Sequence, residues 1–252
     1  VKNIFLAVCF FLSCAGMVQA EQTVEVEGRY WFTDLDAKAK VTTSGLSGTD
    51  INLKSDLGLK DEDMPDFRLT WNINENNSLR FAYTSVEYDG DKNVTKTINF
   101  DGKTYTAGAR VISALDLDYY RLGWIWEFLN AADDKVDIGL LTEIKGFSVK
   151  AKLDAPGLSI SESEDFEGAL PALGLTCAVD VYDNFEVNAE ISGMTAGSYG
   201  YLYDAEIGVK WEPYENFAIE GGYRVLEIKG EDDSDFAKVS IDGPYLGALF
   251  SF

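Results

Sequence analysis

The side chains able to do chemistry in this chain are charged, and both signs recur on the polar face of a series of alternating segments. Arg29, Arg68, Arg80, Arg121, Lys145, Lys210 and Arg224 stand there against Glu25, Glu27, Glu127, Glu143, Glu186, Glu190, Asp204, Glu206 and Glu220. Two readings of such a set are open. The charges pair and hydrogen-bond into a polar plug that rigidifies the interior. Alternatively they line a narrow water-filled path whose acidic bias prefers cations, as rings of carboxylates do. Spacing along the chain does not separate these.

The chemistry that is missing is as informative. The chain has no histidine and three cysteines. Histidine is the commonest general base and metal ligand, so its absence removes Ser-His-Asp and Cys-His triads and the usual zinc sites. Cys9 and Cys14 lie in an N-terminal apolar stretch, leaving Cys177 in a strand-like segment, where filling space is its expected role. Carboxylates crowd three other segments: Asp61-Glu62-Asp63, Glu162 to Glu167, and Glu231-Asp232-Asp233 with Asp235. Acidic, oxygen-rich loops can hold calcium or magnesium. None has the order of an EF-hand loop, so Asp61, Glu62, Asp63, Asp232, Asp233 and Asp235 are weak metal candidates beside the simpler reading of solvated loops. Asp116-Leu117-Asp118 offers a carboxylate pair without a locatable pocket. No cofactor is implied, and a net charge of −22 argues against nucleic-acid partners.

The elements that must position these charges are β-strands. Apolar and polar residues alternate over segments of about ten residues, the period-2 pattern of a strand with a lipid face and a lumen face. Phe67, Leu69, Trp71 and Ile73 oppose Arg68, Thr70 and Asn72; Tyr120, Leu122, Trp124, Trp126 and Phe128 oppose Arg121 and Glu127. The count is ten strands, all-β and antiparallel, with eight as the alternative should one region around 154–200 be loop. Short connections at Asn74–Asn77, Ala131–Lys135, Tyr182–Asn184 and Glu212–Asn216 read as periplasmic turns, and longer ones near 43–64, 154–167 and 230–236 as outer loops. A hairpin closed at Asp101-Gly102 would pair Leu79 with Trp124, Phe81 with Leu122 and Tyr83 with Tyr120. Outward aromatics sort into two girdles, as a spanning barrel requires.

The two ends fit this architecture. Residues 1–20 carry Lys2, an apolar run from Ile4 to Phe11, and Val18-Gln19-Ala20, the form of a signal peptide cleaved before Glu21. Cys14 raises a lipoprotein alternative that Phe11-Leu12-Ser13 fits poorly. Residues 21–252 are then one domain. Downstream of Ala20 no apolar run approaches the roughly 18 residues of a membrane helix, so entry into a membrane would require a closed barrel. At the other end, Tyr245-x-Gly247-x-x-Phe250-x-Phe252 resembles the C-terminal assembly signal of small Gram-negative outer-membrane β-barrel proteins. That resemblance implies an up-and-down transmembrane barrel in the outer membrane, surrounded by lipid and lipopolysaccharide, delivered by the barrel assembly machinery, and monomeric. Within the class, the omptin proteases and the lipid A-modifying and phospholipase barrels use a catalytic histidine, which this chain lacks. The expectation is a non-enzymatic barrel with a charged, largely occluded lumen and acidic surface loops, in an envelope structural or surface-interaction role. A narrow cation-preferring channel for small polar solutes is the alternative.

Overall fold

The computed structural model describes residues 23–42, 47–100, 102–132, 135–232 and 235–252. The expected signal peptide, Asp101 of the hairpin turn and Asp233 of the acidic loops lie outside them. In chain order the strands are β1 (Thr23–Trp31), β2 (Asp34–Lys40), β3 (Ile51–Asn52), β4 (Met64–Asn74), β5 (Asn77–Asn93), β6 (Ile98–Phe100), β7 (Lys103–Tyr105), β8 (Arg110–Ala131), β9 (Val136–Ala155), β10 (Ile160–Tyr182), β11 (Phe185–Thr195), β12 (Gly200–Tyr214), β13 (Phe217–Asp232) and β14 (Asp235–Ser251). One short helix, α1 (Leu53–Leu57), follows β3.

Ten of these strands form a closed antiparallel barrel in the order β1-β4-β5-β8-β9-β10-β11-β12-β13-β14, with β14 returning to β1. Closure runs from Glu25 opposite Ser251 to Trp31 opposite Tyr245. Val24 and Phe252 exchange backbone hydrogen bonds of 3.1 and 2.9 Å at the periplasmic end. β2 continues β1 along β14 in the same register, with Asp34 opposite Asp242. The β5–β8 hairpin has the expected register: Leu79 meets Trp124, Phe81 meets Leu122 and Tyr83 meets Tyr120. The same register carries into its tip, where Ile98 meets Tyr105 and Gly102 takes a positive φ of 71°. Turns requiring φ above zero favour glycine, which has no Cβ to clash.

Two expected loops are strand instead. β9 runs up to Ala155 and β10 starts at Ile160, so most of 154–167 is hairpin ladder. Likewise β13 and β14 stay paired as far as Asp232 opposite Asp235, so the described residues of 230–236 are strand. The reason is the solvent. Strands standing in water need no apolar outer face, so Lys150, Lys152, Asp165 and Glu167 do not interrupt them. The 43–64 connection carries β3 and α1 and folds back over the barrel. Leu59 forms a bridge with Gly90, where a Cβ would lie 2.5 Å from Ser113 Oγ and 2.8 Å from Leu57 O. Only glycine allows that approach.

Side chains sort by height. Toward the periplasmic turns the outer surface is Leu79, Phe81, Leu122, Trp124, Trp126, Ile144, Leu173 and Val209, all exposed. Toward the opposite end the outward positions turn polar (Glu87, Asp89, Asp116), while the interior fills with Leu35, Val86, Val111, Leu115, Leu117, Leu153, Leu226 and Ile241. β8 has 22 residues, about twice the 9–11 a tilted strand needs to cross a bilayer. The surplus stands outside the membrane.

Candidate functional site

The interior of the membrane-spanning half is a dense layer of ion pairs built from alternate residues of nearly every strand. Two aspartates sit at its centre. Asp66 on β4 accepts from Arg29 Nε at 2.8 Å, Arg224 Nη1 at 3.1 Å and Arg121 Nη2 at 3.2 Å, with Thr84 donating a further bond. Asp204 on β12 takes a two-pronged bond from Arg224, Nε at 2.9 Å and Nη2 at 2.8 Å, and accepts from Tyr119 at 3.0 Å and Lys145 at 3.4 Å. The bidentate fork is the geometry in which arginine holds a carboxylate best. Arg224 also lies 4.6 Å from the Trp31 ring centroid, and Arg29 lies 4.7 Å from that of Tyr245. The layer thus meets an aromatic lid on its outer side.

Around this centre, Glu206 accepts from Arg68 at 2.7 Å and from Arg29 at 3.3 Å. Arg80 reaches Glu190 at 2.7 Å, and Glu143 is paired to Lys145 at 2.9 Å and to Ser192 at 2.7 Å. Tyr245 donates to Glu220 at 2.6 Å. Of the lumen residues expected from sequence, Glu27, Arg29, Arg68, Arg80, Arg121, Glu143, Lys145, Glu190, Asp204, Glu206, Glu220 and Arg224 come together here. Lys210 stands apart toward the periplasmic end, paired to Glu186 at 2.8 Å and Glu212 at 3.1 Å. Glu127 is half-buried in the same region, within electrostatic range of Asp137, Glu186 and Glu25.

Five members had no place in the sequence reading of the lumen: Asp66, Ser192, Trp31, Tyr119 and Tyr245. Asp66 is in phase with Arg68, one residue beyond where the alternating run was started. Trp31, Tyr119 and Tyr245 have the parity of the lumen residues, but aromatics on a membrane strand suggest the lipid face. The C-terminal motif is split by the same parity. Tyr245 and Gly247 face the lumen, Gly247 lying opposite Arg29 and Glu220, while Phe250 and Phe252 are exposed on the outer surface.

The acidic loop residues take structural parts. Asp61 accepts from the Leu35 backbone N–H at 2.9 Å and pairs with Lys54 at 2.7 Å, and Asp63 accepts from the Thr33 N–H at 3.3 Å. These carboxylates satisfy β2 where β4 has ended. Burial alone would raise the Asp61 pKa, but the Lys54 contact and the Leu35 N–H hold it below the usual carboxylate range. Asp56 is lowered in the same way: burial opposes it, and Lys96 and the Asn52 N–H outweigh burial. Glu62 offers its backbone carbonyl to Thr33, and Asp235 accepts from the Thr42 N–H at 2.9 Å. Asp232 closes the β13–β14 ladder against Asp235. Among the described residues no three potential ligands converge into a metal site. Asp116 is exposed on the outer face, and Asp118 accepts from Tyr83 at 2.6 Å, so this pair faces no pocket chemistry.

A charged interior under an apolar outer belt is the inverse of a soluble barrel, and only lipid covers such a belt stably. This is a small outer-membrane β-barrel protein. The family model described as YfaZ precursor matches residues 128–252, from the end of β8 to the C-terminus. Among solved structures, the outer membrane protease OmpT from Escherichia coli is 10% identical with a TM-score of 0.60, covering 94% of this chain and 99% of its own. Ail, the attachment invasion locus protein of Yersinia pestis, is 12% identical with a TM-score of 0.41, covering 92% of this chain and 99% of its own. The OmpT likeness is one of fold. No curated protein matches the chain.

Proposed function

We propose that this barrel is non-enzymatic and non-conducting, an envelope structural element that holds a rigid β-platform above the outer membrane for surface interactions. The carrying observation is the stacking of two fillings in one lumen. The Asp66–Asp204 ion-pair layer occupies the membrane-level interior, and the apolar cluster around Leu117, Phe147, Leu202 and Leu226 lies directly above it. An ion crossing the barrel would have to break paired charges and then enter an apolar interior, and each step is costly. The lack of any histidine supports the non-enzymatic part of this reading. Lipid and lipopolysaccharide meet the outer belt, the barrel assembly machinery reads the terminal strand, and the working unit is a monomer.

The narrow cation channel is the second reading, favoured by the acidic periplasmic mouth where Glu127 lies near Asp137, Glu186 and Glu25. Planar-bilayer recording of the refolded protein separates the two. A sealed barrel gives no discrete steps. Cation-selective steps that vanish in Glu143→Gln or Glu206→Gln would establish the channel and overturn the plug.

A further inference from the structure

The barrel wall is uneven. β10 has 23 residues and β11 only 11. β9 pairs with β10 from Ile160 onward, whereas the β10–β11 ladder begins at Leu173 opposite Gly193. Between Ile160 and Ala172, β10 therefore has a ladder partner on one side only, among the described residues. A strand edge in this state presents a row of backbone donors and acceptors that templates another strand. Chains commonly blunt such edges with lysine, proline or a bulge. Here Pro171 stands at the base, and residues 160–170 contain neither proline nor lysine.

The side chains along this edge narrow the choice of partner. Phe166 pairs across to Val149 and points to the inner side of the wall, yet it is 64% exposed because β11 and β12 end below it. Glu164, Asp165 and Glu167 flank it and are exposed, and Glu162 reaches Lys103 at 3.4 Å. A second copy in the same membrane fits poorly. It would bring identical carboxylates together, and its β10 would run in the same direction along the membrane normal, against the antiparallel pairing that edges favour.

We propose that the free edge of β10 from Ile160 to Ala172 takes up an extended, basic, partly apolar peptide segment of another protein as an added strand. Backbone hydrogen bonds would supply affinity. Basic side chains of one parity would meet Asp165 and Glu167 on the outer side, and apolar ones of the other parity would cover Phe166 on the inner side. At about 3.3 Å per residue the edge is roughly 43 Å long, so a ten-residue segment fits within it.

The test uses the full refolded barrel in detergent and three labelled decapeptides: (Lys-Val)5, (Glu-Val)5, and (Lys-Val)5 N-methylated at alternate amides. Anisotropy should show (Lys-Val)5 binding that weakens with salt, no binding of (Glu-Val)5, and at least about tenfold weaker binding of the N-methylated form, which keeps its charge but cannot complete a ladder. Amide exchange should slow within 160–172 on binding, and Asp165→Lys with Glu167→Lys should weaken it about tenfold. Equal affinity for the N-methylated peptide, protection located elsewhere, or no binding of (Lys-Val)5 would overturn the proposal. So would concentration-dependent dimerisation of the peptide-free protein that protects 160–172, since the edge would then belong to a second copy.

Discussion

Along β8 the same inward face changes character with height. At membrane level it presents Arg121 and Gly123, with Leu122 and Trp124 turned to lipid; above, it presents Leu117, Leu115 and Val111, with Asp116 and Asp118 turned to water. β9 does the same, passing from Glu143 and Lys145 to Phe147 and Leu153. Between Val111 and Trp124 the parity holds while the solvent outside the wall changes. Lipid on the outside allows the polar residues only the lumen, where they must pair because an unpaired buried charge is costly. Water on the outside restores the arrangement of a soluble protein, with an apolar core driven by burial. The changeover lies at Tyr119, Trp31 and Tyr245, amphipathic rings that stack on the guanidinium layer and face the apolar filling.

The two zones should fail differently. Asp204→Ala strands Arg224, Arg121 and Lys145 without their shared acceptor, and removal of one partner from a buried pair typically costs ~3–5 kcal/mol. That is the largest expected effect, read as a lower urea midpoint in unfolding from detergent. Arg224→Met with Asp204→Leu, which removes the pair together, should recover part of that loss. In the outer zone Leu226→Ala or Ile241→Ala leaves a cavity and should cost about 2–4 kcal/mol, with the ion-pair layer intact. Equal effects of salt on both classes of variant would erase the distinction between the zones.

The smallest effect concerns the 43–64 flap. Asp61 and Asp56 are both held below the ordinary carboxylate value. Their contribution is therefore full above that value, about 4, and is lost as pH falls through the lowered one. Protection of the Leu35 and Asn52 amides, taken relative to intrinsic exchange at each pH, should fall on acidification from pH 5 to pH 2, while amides beside Asp204 stay protected. Asp61→Asn should remove most of the pH dependence at Leu35.

The membrane zone was legible in the sequence because lipid enforces strict alternation. Twelve lumen charges followed from period 2, and the hairpin register from period 2 together with the Asp101-Gly102 turn. Asp66 escaped because Pro65 reads as a loop residue and cut the run one position short, though proline is tolerated near a strand start. Trp31, Tyr119 and Tyr245 escaped because an aromatic on a spanning strand suggests the lipid face. Above the membrane, alternation inverts and then loosens, so 154–167 resembled a loop although all of it but the turn at 156–159 is strand. The carboxylates of Asp61 and Asp63 looked like a cation cluster because their real partners, the N–H groups of Leu35 and Thr33, lie 26 and 30 residues away in sequence.

The inversion itself is tested most directly by a spin-label scan of outward positions on β8, one label at a time in a Cys177→Ser background. Asp116 and Asp118 should be accessible to an aqueous nickel chelate, and Tyr120, Leu122, Trp124 and Trp126 to oxygen dissolved in lipid, with one crossover between Asp118 and Tyr120. Oxygen-dominated accessibility continuing through Asp118 and Asp116 would place the upper wall in the membrane and contradict a barrel with two zones.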